Sequence, residues 1–419
     1  MRPFLVASLF AVSLLAGCIG DEPSIPTTDE DLSYTVFALP ETISGIEAVT
    51  SVGTEGGGTG IWFDEDRHLA ISANGGAGLH IIDVSDPLNA SVIGRLGEIY
   101  ARDADFLEYN GTKYALLAGG REGIHVIDIT DPTEPVLVFT AEDHPSHNVA
   151  AVPGTPYVYN AQPFVRDILV PNTPSGVPNV GPTPLDTDRG STILDISQGT
   201  NGTWTEIPFP ADWDGVRLTS NGCHDVVVRT DLDRAYCAGG GYEYREGGGE
   251  TFIWDIADDP RKPKFIGMVD NPFIVYHHQA IVSEDGTILY INDEHIFPNC
   301  NRADAGPLSV QQPTAAMWVY DISDPADPEM LSWLQPADPN GPVPEPNGNC
   351  GSHFGDIIDG TSFLVWGWYQ GGTLLIDVSD PTMPEIVQQV VPKSSVWDAR
   401  YFNGHVYGSD DDLSVFRVV

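Results

Sequence analysis

A short strand–turn–strand phrase recurs seven times along the 419 residues, and glycine and proline are plentiful (44 and 34). Alternating short strands dominate, and no long amphipathic helical period interrupts them. These observations predict an all-β chain arranged as a seven-bladed β-propeller. The clearest copy is GIHVIDITDPTEPVLVF, from Gly123 to Phe139, with a strand from Ile124 to Ile129, a turn from Asp131 to Pro135, and a second strand from Val136 to Phe139. Other copies centre on Asp83, Asp195, Asp255, Asp321 and Asp377, and a degenerate one closes the chain with Arg417 in place of the aspartate. Their shorter spacings match the roughly 40–50 residues of a four-stranded blade, and the longer ones call for inserted loops.

The repeated phrase, seen again in LHIIDVSDP from Leu79 and LLIDVSDP from Leu374, resembles the LVIVD repeat of cell-surface and secreted β-propellers. That resemblance covers nearly all the chain after about residue 44. It implies a fold and no particular activity.

In chain order, Met1-Arg2, an apolar run from Phe4 to Leu15, and Leu15-Ala16-Gly17-Cys18 read as a lipoprotein signal peptide over 1–17. The run is too short to span a bilayer. Cys18 would be lipidated, and 18–43 would be an acidic, flexible tether. The expected product is exported and held on the outer side of the cell membrane or cell surface by its lipid alone. The domain proper would span 44–419.

A formal net charge of −41 excludes nucleic acid as a partner and suits a saline habitat, where salt screens self-repulsion. Cys223, Cys237, Cys300 and Cys350 remain for an oxidising compartment. Cys223 and Cys237 flank one hairpin, and Cys300 and Cys350 both lie in loop-rich insertions, so two disulfides are expected; no C-x-x-C spacing favours a metal instead.

The last repeat ends after its third strand. A strand at about 44–52, orphaned before the first repeat, is therefore expected to complete the last blade and close the ring. Insertions at Ala161–Gly190, Phe297–Ala315 and Gln335–Cys350 should emerge on one face.

The chemistry is expected on that face. His147 and His353 stand seven residues before the turn glycines Gly154 and Gly360, and His224 and His278 stand seven before Asp231 and Asp285. The same position reads Thr59, Ala104 and Trp397 in the other blades. Four of the 11 histidines thus fall in register at the mouth of the central channel, where imidazoles make a transition-metal site for iron, copper, zinc or manganese. The carotenoid-cleaving dioxygenases, also seven-bladed propellers, hold ferrous iron on four axial histidines; the resemblance is one of geometry, since their other motifs are absent. Histidines that cap each blade by bonding the neighbouring loop are the competing reading.

Asp225 could orient His224, although adjacent strand residues point to opposite faces. Asp293, Glu294 and His295 read as a solvated loop edge that could supply carboxylate ligands or hold calcium, and His277 and His144 as rim residues. Asp103, Asp105 and Asp398 fall one residue from the aligned position. The marker aspartates read as turn-forming groups.

Two functions stay open. One is a metalloprotein, whether oxidoreductase or hydrolase. The other is a metal-free, monomeric binding or adhesion scaffold whose loop face holds a protein, peptide or glycan.

Overall fold

The computed structural model describes residues 35–162, 191–207, 209, 212–213, 216–217, 222–240, 249–295, 313, 315–336, 350–391 and 394–419. The signal segment, Cys18, Cys300 and most of the three insertions lie outside these residues.

The fold is an all-β propeller. Each marker phrase forms the third strand of a four-stranded antiparallel run: Leu79–Asp83, Ile124–Asp128, Thr192–Asp195, Glu250–Asp255, Met317–Asp321 and Gly372–Asp377. These strands are mainly apolar and buried on both faces, and each ends on its half-buried aspartate. The aspartate then turns the chain. Asp83, Asp128, Asp195, Asp255, Asp321 and Asp377 each accept the amide two residues on at 2.8–2.9 Å.

Seven separate four-stranded blades were expected, and the structure corrects this. Among the described residues, five four-stranded sheets stand separately, eight further strands form one sheet, and Asp212–Trp213 pairs with Val216–Arg217 in a two-stranded one. The fusion has a local cause. The strand Ile288–His295 runs past its own partner, so that Glu294 pairs with Gly351 and His295 with Cys350 at the start of the strand Cys350–Ile357.

The first strand of each run packs against the first strand of the next. The sequence of contacts passes from Gly60–Asp64 through Asp103–Tyr109, Asn148–Ala151, Asp225–Arg229, His277–Val282 and Cys350–Ile357 to Asp398–Phe402, and returns to Gly60–Asp64. Side chains bolt these strands together. Asp103 and Asp105 accept the amides of Val149 (3.1 Å) and Ala151 (2.7 Å), Gln279 that of Gly355 (3.0 Å), Asp356 that of Tyr401 (3.0 Å), and Asp398 that of Ile61 (3.0 Å). The strand Ile46–Gly53 pairs antiparallel with Asp412–Val418. Residues from Thr35 onward, placed in the tether by the sequence, lie against the same sheet: Asn403 accepts from Phe37 N at 3.0 Å and donates to Thr35 O at 2.9 Å.

Candidate functional site

Four rings line one end of the channel in an arc. His147 and His224 have centroids 3.9 Å apart, His224 and His278 4.2 Å, and His278 and His353 3.9 Å. Two local devices bring them there. His147 and His224 precede the first residue of their inner strands, and their amides donate to Ala161 O and Ala238 O at 2.9 and 2.6 Å. His278 and His353 sit inside β-bulges, where three residues advance against two between His277 and Ala280 and between Ser352 and Gly355. A bulge re-aims a side chain, and here it turns an imidazole toward the axis.

Hydrogen bonds fix the ring orientations. His224 Nδ1 donates to His278 O at 3.2 Å, His353 Nδ1 to Trp397 O, and His147 Nδ1 to Asn148 Oδ1. A carbonyl oxygen can only accept, so each Nδ1 carries the proton and each Nε2 presents a lone pair. The capping pattern is therefore real for His224 and His353, and it leaves their other nitrogens available.

Those nitrogens meet a carboxylate. Glu294 Oε2 lies 3.9 Å from His224 Nε2 and 3.6 Å from His278 Nε2, and Oε1 lies 3.9 Å from His353 Nε2. Ligand atoms about 2 Å from one ion sit about 3–4 Å from one another. His224, His278 and Glu294 form a buried group that could hold a metal ion, with all ligand atoms within 4.8 Å. Burial, then the charge of Arg102, pushes the His147 and His224 imidazoles well below their usual range; burial and the neighbouring imidazoles do the same to His278, and His353 falls to about 3. The rings are neutral at pH 7. Burial raises Glu294 to about 7, opposed by the Tyr369 hydroxyl, which donates to Oε1 at 2.6 Å, and by Arg102.

Several sequence expectations are corrected. Asp293 and Glu294 are no solvated loop edge: they are 0% and 6% exposed. Asp293 is a clamp, accepting Val275 N and Tyr276 N at 2.9 Å and Ala315 N at 2.8 Å. The backbone of His295 pairs with Cys350, and its side chain lies outside the described residues. His277 is not on the rim; it is wholly buried and its Nδ1 meets Thr251 Oγ1 at 2.8 Å. His144 packs on Trp204, away from the arc. Asp225 does not orient His224; it belongs to an inner polar layer with Asp103, Asp398 and Arg400. Arg400 is held there by Asp398 at 2.9 Å. Cys223 and Cys237 form a disulfide, whereas the Cys300–Cys350 pairing lies outside the described residues.

The position aligned in the second sheet is Arg102, not Ala104. Arg102 N donates to Ala118 O at 2.8 Å, as His147 N does to Ala161 O and Trp397 N to Ser409 O. The inner strand Asp103–Tyr109 has seven residues, longer than its counterpart Asp225–Arg229, so counting back from its turn stops short of the mouth. Tyr369 was also missed; it packs on His353 and Trp397.

The LVIVD repeat family matches residues 72–96 and 110–143, the phrases around Asp83 and Asp128. These two segments carry the LVIVD repeat within an all-β propeller. No curated protein matches it in sequence. Among solved structures, the β-propeller domain of Cps50 (Swd1) from Myceliophteria thermophila is similar at TM-score 0.57 and 11% identity, covering 90% of this propeller's chain and 100% of that one. That likeness shows the fold alone.

Proposed function

We propose that this propeller is an exported, lipid-anchored, monomeric metalloprotein that binds one transition metal ion at the mouth of its channel. His224, His278, His353 and Glu294 are the ligands, and His147 closes the arc as a fourth imidazole. The observation that carries the reading is the convergence of three imidazole nitrogens on one buried carboxylate at 3.6–3.9 Å, in a pocket that holds the rings neutral. Imidazole with carboxylate suits iron, zinc, copper or manganese. A position left open on the ion would take water or a small substrate, which the metal would activate.

We further infer seven blades, counting the eight-stranded sheet as two blades fused through Glu294 and Gly351, with Ile46–Gly53 as the outer strand of the last. The unbroken circuit of inner strands supports that count. The Leu15-Ala16-Gly17-Cys18 signal supports export and lipidation.

Elemental analysis of the soluble domain, purified without chelator or affinity nickel, tests the metal. Stoichiometric iron, copper, zinc or manganese is expected, lost in a folded His224→Ala, His278→Ala double variant. No metal in either protein after reconstitution would leave the histidines as caps and the protein as a binding scaffold. Lipid labelling that persists in Cys18→Ala would overturn the anchor.

A further inference from the structure

The ring position in the second sheet is occupied by an arginine, and nothing in the metal reading uses it. Arg102 takes the same backbone station as His147, His224 and Trp397, so its side chain starts from the mouth. Its charge acts on His147, His224, His278, His353 and Glu294, one cation felt by every member of the cluster. It is partly buried.

Among the described residues, Arg102 is distinguished by having no paired carboxylate. The chain has 60 acidic against 19 basic residues. The other partly or wholly buried arginines among the described residues each lie by a carboxylate: Arg67 by Asp64, Arg229 by Asp231, Arg234 by Asp255, and Arg400 by Asp398. Among the described residues, no carboxylate lies within ion-pair distance of Arg102. Glu294 is the acid it influences, and that carboxylate is already engaged by Tyr369 and faces three imidazoles. A guanidinium drawn out of water beside neutral rings carries a cost that a bound anion relieves, and its planar fork matches a carboxylate or similar oxyanion.

We propose that the mouth is a binding site for a small anion, a carboxylate or another oxyanion, which reaches the metal with one oxygen and Arg102 with another. This rests on the metal reading for its first contact and on Arg102 for its second. The net charge of −41 disfavours polyanions, while a small anion can meet the local positive charge of Arg102. The aromatic wall of Tyr369 and Trp397, packed edge to face at 5.1 Å, would flank an apolar remainder of the ligand.

The test loads the soluble domain with cobalt(II), whose visible spectrum reports coordination, and titrates it with acetate and, separately, with inorganic phosphate. Wild type, Arg102→Gln, Arg102→Lys and the exposed control Arg121→Gln are compared. Cobalt should bind all four equally. At least one of the two anions should shift the wild-type and Arg121→Gln spectra at the same concentration, Arg102→Gln should need at least ten-fold more, and Arg102→Lys should fall between. Equal titrations in wild type and Arg102→Gln, or no response to either anion, would make Arg102 a solvated rim cation and overturn the proposal. If cobalt fails to bind any variant, the metal reading fails instead. Calorimetric titration of the same proteins with both anions then decides the subsite, with equal heats in wild type and Arg102→Gln counting against it.

Discussion

Glu294 is the residue on which the site turns, because among the described residues it is the one carboxylate that faces three of the four imidazoles. Glu294→Gln keeps an oxygen to accept from Tyr369 and removes the negative ligand. Metal affinity, read by competition with a chelating dye, should fall at least ten-fold while the fold persists. The inner polar layer makes a second residue-scale prediction. Burial raises Asp105 to about 7 against an ordinary 3.8, so the folded state binds a proton that the unfolded chain has released. The stability this proton confers is full below about pH 3.8 and is lost as pH rises toward 7, at about 1.4 kcal/mol per pH unit for a whole proton. Thermal unfolding between pH 4.5 and 8 should show the wild type losing stability as pH rises. Asp105→Asn keeps an acceptor for Ala151 N and should lose less. An unchanged slope would mean that this carboxyl is ionised throughout.

At the scale of elements, the Asp-Pro turns are couplings as well as reversals. The carbonyl of Pro132 abuts Gly94 on the preceding sheet, and that of Pro325 abuts Gly267, so closely that a Cβ at either glycine would collide with backbone. Gly267→Ala should cost about 1–3 kcal/mol by overpacking, seen as a lower denaturation midpoint with the metal site intact. The disulfide closes a separation of 14 residues beside His224. Replacing both cysteines with serine should cost about 3 kcal/mol in the same assay. Much of this was readable in advance. The marker aspartates announce turns because their side chains bond the next backbone amides, a local rule that the sequence carries whole. The histidine register was readable for the same reason, since strands of similar length separate each ring from its turn. Arg102 escaped because a longer inner strand shifts the count, and strand length is set by pairing rather than by local residues. Glu294 was legible as a possible carboxylate donor but not as a buried one, because solvation was inferred from polarity, whereas its burial depends on pairing with Gly351, a contact between distant segments.

In the whole molecule the packed runs of strands and the histidine cluster depend on one another. The seam pairs Ile46–Gly53 with Asp412–Val418, and Asp398 reaches Ile61 N across it. Removing residues up to Gly53 should expose the edge of the final strand, lower the thermal midpoint and promote association visible by sedimentation. The centre needs the ring, since His147, His224, His278 and His353 come from successive runs of strands and meet only when these are packed side by side. The metal site is read most directly by X-ray absorption at the metal edge of the loaded protein. Three or four imidazole nitrogens and a carboxylate oxygen at about 2.0–2.2 Å are predicted, with one oxygen lost in Glu294→Gln. A shell of water and carboxylate oxygens without imidazole scattering would place the metal on the acidic surface and rule out the histidine site.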